Sequence, residues 1–435
     1  MTEPDDTVDK PVQNLGGPGG TGLAAPPPQG FKHGMRAFQY RDFRIFFAGA
    51  LASNTGNWLQ NLAVPFVLFE LTGKALWVGL AGFAQFIPAF FLGPVGGSLA
   101  DRRNRKNVLM FSQFGMAVSA FMLWIAWVLN YREPLLILLL TALTGIFSGI
   151  MIPSWQAFVP SLVPRSALAS AITLNSTQFN ASRAIGPALA GFLLATAGAS
   201  TAFFLNGVSF VAVIGAIWMV NPIVAERRAA TTTTVLQGFG EAIVYIRRRQ
   251  GILLSMLCAI LVAFFGNPIT QFTVVFAQDV YNSGPRVLGL LAAAVGIGAV
   301  LIAPALSTWD TRIPRSSVVR WGLPFYALAV IAFGVAPNWP LGVIALLMVG
   351  AGFLLVIATT NTAVQLMVDE EMRGRVMSAR VMSFTLAFPL GSLLQGYLSD
   401  IWGPQATVVV MGAILLGLAI LVATQPTWLL TLDEE

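Results

Sequence analysis

Long apolar runs alternate with short polar breaks from Arg44 onward. Most runs approach or exceed the roughly 20 residues that a helix needs to cross a bilayer. They do not alternate apolar and polar residues as the strands of a membrane barrel do. Because lipid offers backbone groups no hydrogen-bond partner, helices remain as the spanning element. The pattern predicts twelve spans, at 45–69, 76–99, 107–129, 134–155, 168–196, 201–220, 251–278, 286–306, 318–335, 339–360, 376–398 and 404–424.

Polar segments frame these spans. Residues 1–34 are rich in Pro and Gly and lack the apolar stretch of a signal peptide, so we expect a disordered tail. The longest internal break carries an amphipathic stretch over 235–249 that ends in three arginines, which predicts a linker helix on anionic lipid. The predicted division is a tail 1–34, a six-helix half 35–220, a linker 221–250, a six-helix half 251–424 and a tail 425–435.

Basic residues are distributed unevenly between the two sides of the predicted bundle. If the N-terminal tail is inside, 21 of the 25 Lys and Arg residues fall on inner segments. Lys74, Arg132 and Arg286 fall on outer loops, and Arg183 lies within a span. Since positive residues favour the cytoplasmic side, we expect both termini and the linker in the cytoplasm. This predicts a multi-pass protein of the cytoplasmic membrane.

The second half of the sequence repeats features of the first at an offset of about 205–210 residues. Two parallel six-helix repeats with substrate handled between them are typical of secondary transporters. The matching positions are Gly56-Asn57 with Gly266-Asn267, Glu70 with Asp279, Gly79 with Gly289, Asp101 and Arg103 with Asp310 and Arg312, Gln156 with Gln365, and Gly186 and Gly191 with Gly391 and Gly396.

Composition narrows the function classes. Hydrophobic residues make up 56% of the 435 positions and charged residues 10%, against about 25% charged in a soluble domain, which excludes a soluble enzyme. The single cysteine, Cys258, allows no internal disulfide and no cysteine cluster, and the single histidine, His33, lies in the tail. We expect no metal, no cofactor, no catalytic residue and no nucleic-acid partner, and a protein that acts as a monomer.

The loop after the second span reads GSLADRRNRK. It resembles the signature of the major facilitator superfamily, Gly-x-x-x-Asp-Arg/Lys-x-Gly-Arg/Lys-Arg/Lys, with Asn104 in place of the second glycine. Asn is the residue that tolerates a left-handed backbone next best. The resemblance implies a gating motif that holds the two halves together on the inner side, and a topology anchor is the alternative. The motif residues are Gly97, Asp101, Arg102, Arg105 and Lys106.

The fifth span contains a second motif, which comprises Arg183, Gly186, Pro187 and Gly191. It resembles the kink motif of exporters in the superfamily, with Ala190 at one glycine position; plain helix packing is the alternative. Segments 71–73, 153–164, 289–294 and 373–378 resemble the enterobactin-exporter and macrolide-efflux branch. This resemblance covers about residues 36–424 and implies an antiporter that drives efflux with the proton gradient.

Charged residues in or near the spans are candidates for anion binding and ion coupling. Arg183 is the one charge predicted deep within a span, where it costs about 2.5–3.5 kcal/mol. It would hold an anionic substrate group, pair with a titrating carboxylate, or bond structurally to polar neighbours. The proton-coupling candidates are Glu70 and Asp279 and, less favoured, Asp400, all near outer span ends. Solvated helix ends are the alternative for these carboxylates, so proton coupling is implied by the resemblance alone.

Uncharged polar residues form a stripe on spans one, seven and ten, which line the cavity in the superfamily that the chain resembles. Such groups beside Phe and Trp suit a bulky amphipathic substrate, such as a drug or siderophore. Hydrogen bonding between helices is the alternative. The predicted cavity residues are Asn54, Asn57, Gln60, Asn61, Asn267, Gln271 and Asn361.

The sequence therefore predicts an all-α membrane protein with two pseudo-symmetric six-helix halves, and proton-coupled efflux of a small amphipathic molecule by alternating access. A nutrient importer and a lysolipid or lipid flippase of the same fold are the nearest alternatives. A polytopic enzyme would need His, Asp or Glu residues clustered at one membrane face, and a sensor would be expected to lose the polar stripe. The sequence fits neither.

Overall fold

The predicted all-α fold is confirmed in the computed structural model, which describes residues 34–223, 235–309 and 313–433. Within these ranges no strand occurs, and twelve long helices match the twelve predicted spans. The first half contains α1 (Arg41–Thr72), α2 (Ala75–Arg102), α3 (Arg105–Val128), α4 (Pro134–Phe158), α5 (Leu168–Thr196) and α6 (Gly198–Met219). The second half contains α7 (Gln250–Val280), α8 (Pro285–Trp309), α9 (Arg315–Gly334), α10 (Trp339–Met367), α11 (Glu370–Trp402) and α12 (Pro404–Ala423).

Ten of the described helices are long and apolar enough to cross a membrane. The other two long helices are α1 and α5, of 32 and 29 residues, whose polar side chains lower their hydropathy. Polar residues within a membrane are tolerated where they face other helices or a water-filled cavity. The low hydropathy of α1 and α5 therefore indicates that both border the interior of the bundle.

Some predicted boundaries are wrong because a helix continues beyond the apolar part that hydropathy detects. The helix α11 begins at Glu370 and not at 376. Arg380 was counted among the inner basic segments although it falls within the predicted span 376–398, and its side chain is only 5% exposed. Its guanidinium donates to the carbonyl of Ser255 at 3.0 Å and to the hydroxyl of Thr360 at 2.7 Å. The prediction that Arg183 is the only deep charge is thus wrong.

The two halves repeat the same packing pattern. In the first half, α2 packs on α4, α3 on α4 and α6, and α1 on α5 and α6. The equivalent pairs of the second half, α8 with α10 and α9 with α10 and α12, are also in contact. This agreement supports the internal repeat that the sequence shows.

The halves meet mainly through two helix pairs, α2 with α11 and α5 with α8, and α7 makes smaller contacts with α1 and α2. A Cβ on Gly79 would lie 2.5 Å from the carbonyl oxygen of Ser392, and one on Gly289 would lie 2.8 Å from the Cα of Gly191. Both contacts lie toward the bundle end that carries residues 73–74 and 403, which we call the closed end. At the opposite end, which we call the linker end, added Cβ atoms on Gly93 and Gly97 would meet open space. The close backbone contacts of Gly79 and Gly289 between the halves therefore lie toward the closed end.

The linker helix (Val235–Arg248) packs on the second half. Its Glu241 pairs with Arg375 of α11, and Arg249 pairs with Asp369 at 2.9 Å. The C-terminal segment is also attached, because Asp433 accepts hydrogen bonds from the backbone and hydroxyl of Ser316. The predicted tail over residues 1–33 and the repeat positions 310 and 312 lie outside the described residues.

Candidate substrate site between the two halves

The gating motif lies at the linker end, and among the described residues the hydrogen bonds of its side chains stay within its own half. Arg105 donates to the carbonyl of Ala157 at 3.3 Å, and Lys106 donates to Trp218 and Val220 at 2.9 and 2.7 Å. Both cations thus satisfy carbonyls at helix C-terminal ends, where positive charge is favourable. Asp101 and Arg102 are exposed, as Gly97 partly is. The resemblance implies that this motif holds the two halves together. In the described part of the chain, the motif makes no such hydrogen-bonded contact.

Asn104 does not replace glycine through a left-handed backbone, contrary to our expectation. Its φ is −67°, and it is the N-cap of α3, with its side chain accepting from the backbone of Lys106 at 3.0 Å. Asn is among the best N-cap residues. The asparagine that replaces the family's glycine therefore caps the N-terminus of α3.

The second motif forms close contacts on two sides of α5. A Cβ on Gly186 would collide with Trp58 of α1, and one on Gly191 would lie 2.7 Å from the backbone nitrogen of Gly289 on α8. Pro187 lies inside α5, which is continuous from residue 168 to 196. The glycines therefore allow α5 to approach its own half and the other half at once.

Asp400 is the carboxylate that joins the halves at the closed end. Its two oxygens accept hydrogen bonds from the backbone nitrogens of Ala75 at 2.7 Å and Leu76 at 3.1 Å. These amides begin α2 of the other half, and a negative charge at a helix N-terminus is stabilising. Glu70 and Asp279 are exposed. Asp400 therefore caps α2 across the interface between the halves.

Part of the predicted polar stripe bonds helices within one half. Asn54 donates to Gln178 of α5 at 3.2 Å, and Asn206 of α6 donates to Gln60 at 2.7 Å. Gln60 is 3% exposed. For Asn54 and Gln60, helix–helix hydrogen bonding is the role that the contacts support.

A small polar pocket between α1, α2, α4 and α7 brings other predicted residues together. It is lined by Gln60, Asn61 and Gln271, with Gln85 and Thr141 added from α2 and α4. Gln271 also accepts from Ser392 of α11 at 3.3 Å. The pocket therefore joins amide groups of both halves near the point where α2 and α11 meet.

Three predicted asparagines keep their side-chain amides unbonded within the described part of the chain. Asn57, Asn267 and Asn361 are partly exposed on α1, α7 and α10. Asn54, Asn57 and Asn61 recur at i, i+3 and i+7, which places them on one face of α1. The side-chain amides of Asn57, Asn267 and Asn361 therefore remain available to a ligand.

Arg183 lies at the interface between the halves and has aromatic neighbours from both. Its guanidinium carbon is 5.8 Å from the ring centroid of Trp58 on α1 and 4.9 Å from that of Phe353 on α10. No carboxylate among the described residues pairs with it. Each cation–π contact contributes about 0.5–2 kcal/mol, so the two together are comparable with the roughly 2.5–3.5 kcal/mol that a mid-bilayer cation costs. The charge is therefore stabilised by aromatic rings and leaves its hydrogen-bond donors available to an anion.

Several site residues escaped the sequence prediction. Gln178 and Ser182, four residues apart on α5, bond to each other at 3.2 Å, and Gln178 also donates to the carbonyl of Ala50. That spacing is readable as one polar face of a helix. The positions of Gln85 and Thr141 have no comparable signal, because each is a single polar residue whose partners come from other helices.

Comparisons with known proteins agree with this architecture. A family model described as a transmembrane secretion effector matches residues 34–431. The chain is 27% identical over 386 residues to the MFS-type transporter YfiS of Bacillus subtilis (strain 168), which covers 85% of this chain and 89% of the relative. It is 21% identical over 387 residues to macrolide efflux protein A of Streptococcus pyogenes, covering 87% and 94%.

A solved structure shows the same fold. The bacterial homologue of the human lysosomal transporter Spinster, in an inward-facing and unoccupied conformation, matches with a TM-score of 0.70 and 14% identity over 91% of this chain and 99% of that one. By their names these relatives are transporters or an efflux protein and not enzymes, as the sequence predicted. The chain belongs to the transmembrane secretion effector family of the major facilitator superfamily.

Proposed function

We propose that this protein exports a small amphipathic molecule across the cytoplasmic membrane by alternating access, in exchange for protons. The observation that carries the proposal is the asymmetry of the bundle. The halves touch through glycine contacts and the Asp400 cap at one end, while the linker end is open around Gly93 and Gly97. A transporter that alternates must be able to break the first set of contacts and form an equivalent set at the other end.

The pair α2 and α11 offers a physical basis for that exchange. These helices run antiparallel, and the end of α11 lies at the beginning of α2. Asp400 ends α11 and caps the N-terminus of α2, while Asp101 ends α2 on the side where α11 begins. In our proposal Asp101 takes the corresponding position on α11 when the closed end opens.

Export and proton exchange are supported by different features. Efflux is the function stated in the name of the macrolide relative, and the Gly186-Pro187 motif agrees with it. Among the coupling candidates, Asp400 is favoured over Glu70 and Asp279, since its protonation removes the charge that caps the other half. An importer of the same fold would move its substrate in the opposite direction, into the cell. A lipid flippase of the same fold would move a lipid.

We expect Asp400→Asn, which keeps the shape but not the charge, to raise the population that is open at the closed end. Asp400 is itself exposed, so loss of its charge at the helix terminus costs about 0.3–1 kcal/mol, which corresponds to a roughly 2- to 5-fold change. Spin-label distances between Lys74→Cys and Trp402→Cys, with Cys258 replaced by Ser, measure this population. Glu70→Gln, an exposed carboxylate at the same end, is the control. A distance distribution that Asp400→Asn leaves unchanged contradicts the role of this cap.

A further inference from the structure

We infer that Arg183 is the binding group for an anionic substituent of the substrate, such as a carboxylate, sulfonate or phosphate. The inference rests on the proposed function and names the substrate class for the same cavity. It starts from a cation held between Trp58 and Phe353, one from each half, without a carboxylate partner among the described residues.

A polar path leads along α5 from the linker end to this guanidinium. Ser176, Asn180 and Arg183 recur at i, i+4 and i+7 and therefore share one face of the helix. Ser176 and Asn180 are exposed, and Arg183 is partly exposed. Exposed polar side chains within a membrane protein face water or other protein and not lipid. An anion entering from the open end would meet this face before it reaches Arg183.

The surroundings of Arg183 suit an amphipathic anion. Trp58 contacts Phe179 with ring centroids 6.3 Å apart, which extends the aromatic wall. On the other side, the ring centroid of Phe353 lies 4.9 Å from the guanidinium carbon. The site thus offers one cation and apolar rings, which together match a negatively charged group on an aromatic or aliphatic body.

The position of Arg183 also links binding to the contact between the halves. A Cβ on Gly296 of α8 would lie 2.9 Å from the Cα of Ala184, next to the arginine. An anion that draws the guanidinium away from Phe353 would loosen a contact between α5 and α10 beside this close packing. Binding of a negatively charged substrate would therefore weaken the contact between the two halves.

The test compares two fluorescent probes that differ only in charge, dansylglycine and dansylglycinamide. We measure their equilibrium binding to the purified full-length protein in nanodiscs of zwitterionic lipid. We expect the wild type to bind the anionic probe at least tenfold more tightly. Arg183→Gln removes this preference, and Arg183→Lys retains part of it and shows that the fold is intact. Arg320→Gln, which neutralises an exposed arginine on α9, is the control and keeps the preference.

Equal affinity of the wild type for both probes, or a preference that survives Arg183→Gln, overturns the inference. Since binding is measured without a gradient, its outcome is independent of whether the protein exports. Competitors identify the source of the anion. Displacement of dansylglycine by lysophosphatidylglycerol but not by naphthaleneacetate assigns the site to a lipid headgroup, and displacement by naphthaleneacetate assigns it to a soluble anion.

Discussion

Replacing Gly191 by leucine is expected to reduce transport at least tenfold. A first side-chain carbon at this position would already lie 2.7 Å from the backbone nitrogen of Gly289 and from the carbonyl oxygen of Pro285. A leucine there forces α5 and α8 apart, at a cost of about 1–3 kcal/mol or more. Because this contact joins the halves toward the closed end, the variant should remain open there and fail to complete the cycle.

A matched control separates this effect from a general loss of stability. Gly417 lies on α12, where an added Cβ would meet open space, so Gly417→Leu should transport at the wild-type rate. Initial transport rates of both variants, normalised to folded protein from size-exclusion chromatography, measure the difference. Equal rates for Gly191→Leu and the wild type would show that the α5–α8 contact has no part in the cycle.

Replacing Arg380 by methionine is expected to destabilise the second half strongly. The guanidinium donates to Ser255, Thr360 and the carbonyl of Ile357, and so connects α11 to α7 and α10. Hydrogen bonds to charged groups contribute about 1.5–3 kcal/mol, and methionine leaves these buried acceptors without this donor. Thermal unfolding followed by size-exclusion chromatography should show a lowered midpoint.

Arg373 provides the control for this prediction because it lies on the same helix and is exposed. Arg373→Gln should leave the unfolding midpoint near that of the wild type. If Arg380→Met unfolds at the wild-type temperature, the buried hydrogen bonds of Arg380 contribute nothing to stability.

Hydropathy and repeat positions were sufficient to predict the number and order of the helices. The repeat pair Gly79 and Gly289 also marked the two contacts between the halves, because only residues without side chains allow backbones to approach so closely. Ends of helices were harder to predict, since a helix continues into water where hydropathy no longer detects it. Arg380 was counted as an inner residue because it lies close to the predicted start of its span, and its burial depends on partners from α7 and α10.

The sequence could predict those residues of the candidate site that lie on one face of the same helix. Asn57 and Asn61 could be placed together by helical spacing, and both keep positions consistent with a cavity. By contrast, the pairing of Gln60 with Asn206 and the position of Arg183 beside Phe353 depend on how separate helices pack. Spacing along one helix carries no information about such partners.

The measurement that tests the central claim most directly is uptake of a panel of fluorescent amphipathic dyes into inverted membrane vesicles, with and without an acidic lumen. The lumen corresponds to the outside of the cell, so proton-driven export appears as dye accumulation within the vesicles. We predict that at least one dye accumulates above its level in vesicles without the protein, and that collapse of the pH gradient abolishes the accumulation. Accumulation in right-side-out vesicles alone, or uptake that is independent of the gradient, would contradict proton-coupled export.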